Sequence, residues 1–136
     1  MRPRDEAGQV TAFVVVFAFA LFAVAALVID GGVALAAHRR AMNEAQAAAR
    51  AGAEALDTKI YRNQGVSVIN QADAESAVDQ YMATAHKGVT PTVTFVGSNS
   101  VVVDVSFDQP LNFFGSLTAS GHGSARIAQG IVQEGS

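Results

Sequence analysis

The chain has 136 residues, half of them hydrophobic, with nine basic and twelve acidic side chains, a formal net charge of −3 and no cysteine. Without cysteine there is neither a disulfide-stapled scaffold nor a thiolate metal site. From Ala41 onward five basic residues stand against nine acidic ones, a balance that opposes binding to nucleic-acid phosphate or to an anionic membrane surface.

The positive mean hydropathy (+0.26) is concentrated near the N-terminus. Residues 10–29 read VTAFVVVFAFALFAVAALVI, with Thr11 the only polar side chain. As a helix, twenty residues span about 30 Å, the thickness of a bilayer's hydrocarbon core. Arg2 and Arg4 precede the run, and Ala34-Leu35-Ala36 offers a small-x-small site, so a cleaved signal is one reading. A signal's apolar core is shorter, about 7–15 residues, and the rest of the chain is too small to bury such a helix. The expectation is a retained single span. Arg2, Arg4 and the α-amine favour a cytoplasmic N-terminus, while Arg39 and Arg40 pull the other way; we expect N-in, C-out in the plasma membrane.

The helical pattern continues past the apolar run. Residues 33–57 are dominated by strong helix formers, and Arg39, Asn43, Gln46, Arg50, Glu54 and Asp57 recur at helical spacing as a polar stripe. Arg40–Glu44 and Arg50–Glu54 are potential i,i+4 pairs. A second stripe, Ala41, Ala45, Ala48, Gly52 and Leu56, is mostly small. It fits a helix lying on the domain's own sheet, or close approach of another helix through small side chains, and both can hold together. Ala18, Ala25 and Gly32, spaced by seven, extend that face into the apolar segment. A helix over residues 10–57 would be about 70 Å long, with Gly31-Gly32 the place for a kink.

Residues 58–71 read as a connection containing Gly65. A second helix is expected over residues 73–86, with Ala77, Val78, Tyr81, Met82 and Ala85 on one face and Gly88 as its cap. The period then drops to two. Residues 92–96 alternate, 97–100 form a turn, and in 101–108 Val101, Val103, Val105 and Phe107 oppose Asp104, Ser106 and Asp108. After the apolar loop LNFFGS a third alternating run over 117–127 has a small inner face, Leu117, Ala119, Gly121, Gly123, Ala125 and Ile127, on which a helix could lie close. The tail from Gln129 is polar and is expected to fray. The fold class is α+β: a long helix and a short one on a three-stranded antiparallel sheet. The organisation is a tail (1–9), a span (10–29), a continuation of the helix (30–57) and a small domain (58–136).

No constellation carries catalysis, and no metal or cofactor is expected. His38, His86 and His122 lack partners at metal spacing and read as surface or sheet-face side chains. Asp104 and Asp108 read as a solvated edge. Gly121-His122-Gly123-Ser124 is neither a nucleophile elbow nor a phosphate loop. Phe113 and Phe114 are adjacent in a glycine-flanked loop; either both tuck under the sheet's end or at least one is exposed as a contact for a partner.

Gly8-Gln9-Val10-Thr11-Ala12-Phe13, the apolar run, Val28-Ile29-Asp30-Gly31-Gly32, Leu35, Arg39 and AQAAARAGAEALD together resemble the TadE/TadG-like pilus-assembly proteins of tight-adherence (Flp, type IVc) pili, in a form most similar to those of actinobacteria. The resemblance covers residues 4–57, with a looser likeness over the strands. It implies a pilin-like, membrane-inserted subunit with an extracytoplasmic α+β domain, whose partners are membrane lipid, other pilin or pseudopilin subunits and the Tad assembly platform. Some members are cut by a prepilin peptidase after a glycine preceding the apolar segment, which makes Gly8-Gln9 the candidate bond. Pilins and many pseudopilins carry glutamate at the fifth mature position; here that position is Phe13. The expected function is that of a minor pilin or pseudopilin-like component, not an enzyme, contributing its helix to a filament tip or assembly complex. The alternative is a membrane-tethered extracytoplasmic binding module outside any pilus. Neither involves nucleic acid or a small-molecule substrate.

Overall fold

A computed structural model describes residues 5–55 and 57–127; Arg2, Arg4, Leu56 and the tail from Gln129 lie outside them. The elements in chain order are α1 (Asp5–Ala53), α2 (Thr58–Gln64), α3 (Gln71–Ala85), β1 (Thr92–Val96), β2 (Ser100–Pro110) and β3 (Ser116–Arg126). The α+β class is as read from the sequence: one long apolar N-terminal helix, two shorter helices and one antiparallel sheet of order β1-β2-β3.

At 49 residues α1 is about 73 Å long. Its helical pattern runs unbroken through Gly31-Gly32, where the sequence suggests a kink. It ends earlier than expected, at Ala53; Glu54, in the following turn, donates its backbone N–H to the Arg50 carbonyl at 3.1 Å but makes no ion pair with Arg50 among the described residues. The presumed connection holds α2, started by the Asp57 carboxylate, which accepts the backbone N–H of Ile60 at 3.1 Å. In α3, Asn70 caps the N-terminus by accepting from the Asp73 N–H. Its buried stripe is Ala74, Val78 and Met82, with Ala77, Tyr81 and Ala85 half-buried beside it. The C-cap is His86, in extended backbone; Gly88, at φ +84°, makes the turn that follows and does not cap the helix.

The sheet lies on the second half of α1, chiefly through β3. Val101, Val103, Val105 and Phe107 of β2 are buried and the alternate residues Asp104, Ser106 and Asp108 exposed, as the period of two predicts. Val103 pairs with Gly123, and Val105 with Gly121. The glycines therefore form the floor of a trough with valines along one wall. α1 sits in it so closely that a Cβ on Gly121 would overlap the carbonyl carbon and oxygen of Ala41 and the amide of Met42. A Cβ on Gly123 would meet the same groups of Ala45 and Gln46. Four helical residues rise about 6.0 Å and two strand residues about 6.7 Å, so successive small residues on the two elements stay opposite one another. Gln46 fixes the match by donating from Nε2 to the carbonyl of Ser124 at 2.8 Å.

Candidate functional site

The apolar half of α1 is the first part of the site. Among the described residues one helix is long and apolar enough to cross a membrane, and none of its most apolar window is buried by the rest of the chain. Phe13, Phe17, Phe19, Leu21, Phe22, Leu27 and Val28 are all more than half exposed. An uncovered surface of this size is stable only against lipid or other helices. Gly8 and Gln9 are exposed residues within the first turns of α1.

The candidate packing face divides at the end of the apolar run. Ala41, Ala45, Ala48 and Gly52 are buried in the chain's own core; a Cβ on Gly52 would stand 3.0 Å from Val78 Cγ2 and 3.4 Å from Val101 Cγ1. Ala18 is half-buried, and Ala25 and Gly32 are exposed, with open space around Gly32. The lower stripe is therefore covered by the sheet and α3, whereas Ala25 and Gly32 remain accessible to a neighbouring helix.

The junction is organised by Asp30, which in the sequence is one residue of the family resemblance without a role of its own. It is 3% exposed, and its carboxylate accepts three consecutive backbone N–H groups from the β2–β3 loop. Oδ1 takes that of Asn112 at 2.8 Å, and Oδ2 those of Phe113 and Phe114 at 2.9 Å each. Burial pushes the carboxyl up, but the bonds from Phe113, Asn112 and Phe114 outweigh it and hold it below its ordinary value. The loop is closed by the Leu111 N–H donating to the Gly115 carbonyl at 2.6 Å; Gly115, at φ +87°, takes a left-handed conformation that side-chain-bearing residues disfavour. The loop thus turns its three amides onto Asp30 and leaves Phe113 and Phe114 outward, 61% and 59% exposed. The tucked arrangement is not adopted. The sequence signal was there: one carboxylate directly after the apolar run, and a short loop whose amides no strand partner could satisfy.

Farther up α1 a second polar cluster ties it to α3. Buried Glu44 accepts from Arg40 Nε at 2.6 Å and pairs with His86 Nδ1 at 3.0 Å. The His86 ring lies 4.3 Å from that of Phe107 at 56°, and Arg40 stands 6.0 Å above the same phenylalanine. His86 is therefore a half-buried pairing residue, not a surface side chain. His122 is exposed and pairs with Asp104 at 2.8 Å; Asp108 accepts from the Thr118 hydroxyl at 2.6 Å. Among the described residues no His, Cys, Asp or Glu cluster could hold a metal ion.

Residues 8–55 match the family described as Putative Flp pilus-assembly TadE/G-like. The matched segment covers the exposed apolar half of α1, Asp30 and the alanine-rich half that carries the sheet, and stops just beyond the helix. Over that segment the chain is similar to the TadE/G-like family, whose description is one of Flp pilus assembly. No curated protein and no solved structure matches the chain.

Proposed function

We propose that the chain is a membrane-anchored minor pilin or pseudopilin-like component of Tad (Flp) pilus assembly, which contributes its long helix to a filament tip or assembly complex. The observation that carries this reading is the division of α1 into an uncovered apolar half and a half built into a small domain. Such a helix can be covered by lipid or by neighbouring helices at similar cost, so a subunit can wait in the membrane and leave it for an assembly. In this reading residues 10–29 span the plasma membrane, the N-terminus is cytoplasmic and the domain is extracytoplasmic. The partners are lipid, other pilin-like subunits and the assembly platform, and no catalysis is involved. With Phe13 where pilins carry glutamate, the role is accessory to the bulk filament.

Deleting the gene and imaging surface filaments tests the role, and pili unchanged in number and length would sink it. Single cysteines in this cysteine-free chain refine the test. At Ala25 or Gly32 they should cross-link to other pilus components in cells, whereas cross-links confined to the exposed strands would favour the tethered binding module.

A further inference from the structure

We propose that the Phe113-Phe114 loop is a second membrane contact, seated in the lipid interface beside the end of the span, so that the domain is held to the bilayer at two points. The proposal rests on the reading of residues 10–29 as membrane-spanning.

Position is the first argument. Asp30 follows the last residue of the apolar run, and its carboxylate binds the amides of residues 112–114 at 2.8–2.9 Å. Side chains on a helix tilt toward its N-terminus, so the carboxylate reaches back toward the span. The loop that grips it therefore sits at the depth where hydrocarbon gives way to headgroups. Phe113 and Phe114 flank that point and are more than half exposed. An interface that is wet on one side and apolar on the other is where exposed aromatic rings are stable.

Charge is the second argument. Residues 109–121, which include the end of β2, the loop and the start of β3, contain no charged side chain. On α1 the seven residues from Gly31 to Ala37 contain none either. Between these segments, among the described residues, the charge at the junction is Asp30, and it is buried with its oxygens occupied. The first exposed charge of the sheet, Asp108, stands opposite Thr118, two register steps from the Pro110–Ser116 pair that closes the loop, and there its carboxylate accepts from the Thr118 hydroxyl; Asp104 and Arg126 lie farther along the strands. A surface that approaches lipid must be free of ions that would have to be desolvated, and the end of the domain facing the span meets that condition. The occupant is lipid in preference to a second copy because this apolar loop is continuous with the apolar surface of the span.

The chain contains no tryptophan, so a single tryptophan reports its own surroundings. The full-length protein carrying Phe113→Trp or Phe114→Trp is reconstituted in phosphatidylcholine vesicles holding lipid spin-labelled either near the headgroup or deep in the acyl chain. Phe17→Trp, in the span, and Tyr61→Trp, exposed on α2 beyond the far end of α1, are the references. Expected is a blue-shifted emission at positions 113 and 114 relative to 61, with quenching stronger by the shallow label than by the deep one. Emission and quenching at 113 and 114 equal to those at 61, with 17 quenched, overturns the lipid contact and leaves the span standing. A blue shift that no labelled lipid quenches means that protein covers the loop and also overturns it. If 17 escapes quenching, the membrane-spanning reading fails and this one with it.

Discussion

Substitution of Gly121 by alanine tests the helix–sheet trough most directly. The added methyl would overlap the carbonyl carbon and oxygen of Ala41 and the amide nitrogen of Met42. These are backbone atoms within a regular helix, so no rotamer change relieves the overlap and α1 must lift from β3. Overpacking of a core costs about 1–3 kcal/mol where side chains can yield; with backbone as the obstacle we expect the upper end, about 3 kcal/mol. That corresponds to roughly a hundredfold in the unfolding equilibrium. Urea titration of the detergent-solubilised full-length protein, read by pulse proteolysis of the domain, measures it. Two companions calibrate the result. Gly52→Ala meets side-chain tips of Val78 and Val101 and gains helix propensity, so it should change stability by less than about 1 kcal/mol. Gly32→Ala meets open space and should lie between neutral and a gain of about 1 kcal/mol. Adding Ala41→Gly to Gly121→Ala should not restore stability, because the obstructing atoms are not the alanine's methyl. A Gly121→Ala protein as stable as Gly32→Ala, or one rescued by Ala41→Gly, would refute the backbone-contact account.

Asp30→Asn keeps one carbonyl acceptor and removes the charge, so the amides of residues 112–114 should exchange faster in hydrogen-exchange mass spectrometry while those of β2 stay protected; unchanged loop exchange would show that the carboxylate does not hold it. Because the folded-state pKa of Asp30 is depressed, its contribution is complete above the unfolded value, about 3.9, and is lost as pH falls through the lower folded value. Loop protection, referenced to β2, should accordingly persist to acid below about pH 4 and then collapse. Glu44→Ala removes the buried partner of His86 and should cost about 1–2 kcal/mol in the same urea assay, whereas Arg40→Ala, whose side chain is 54% exposed, should cost about 0.5 kcal/mol; equal losses would show that Glu44 serves only Arg40. Intact mass of the protein purified from cells reports on Gly8-Gln9: a chain beginning at Gln9 means cleavage, and a full-length chain means none.

Much of this architecture is written in periodicity. The unbroken run of residues 10–29 announces the exposed half of α1, and the alternation from Val101 to Phe107 gives the buried face of β2 because a strand on a core must alternate. The small inner face of the third run pointed to a close-lying helix, and Gly121 and Gly123 provide it. Less legible were features set by single tertiary bonds. Asp30 looks like the polar end of a span until the loop that binds it is in place. His86 looks like a helix-end residue until Glu44, 42 positions earlier, reaches its ring. The short helix α2 was hidden because seven residues carry too little periodicity to register, although Asp57 ahead of Thr58 is a helix-starting signal. The Arg50–Glu54 ion pair does not form among the described residues because α1 stops at Ala53, one residue short of Glu54, although the Glu54 backbone N–H still reaches the Arg50 carbonyl at 3.1 Å.

The trough between α1 and β3 has a consequence of its own. A repeat of small residues, every four on α1 and every two on β3, is degenerate: Ala37, Ala41 and Ala45 could slide one turn along Ala119, Gly121 and Gly123 and find nearly the same fit. Something aperiodic must index the helix. Asp30 with its three amides at one end, Gln46 on the Ser124 carbonyl in the middle, and Gly52 under Val78 at the other are singular points with no equivalent one turn away. They act as a vernier's reference marks, setting both the height of the domain along α1 and its azimuth about the helix axis. A pull or rotation applied to the apolar end of α1 would act on the sheet through these same points, as through a keyed shaft.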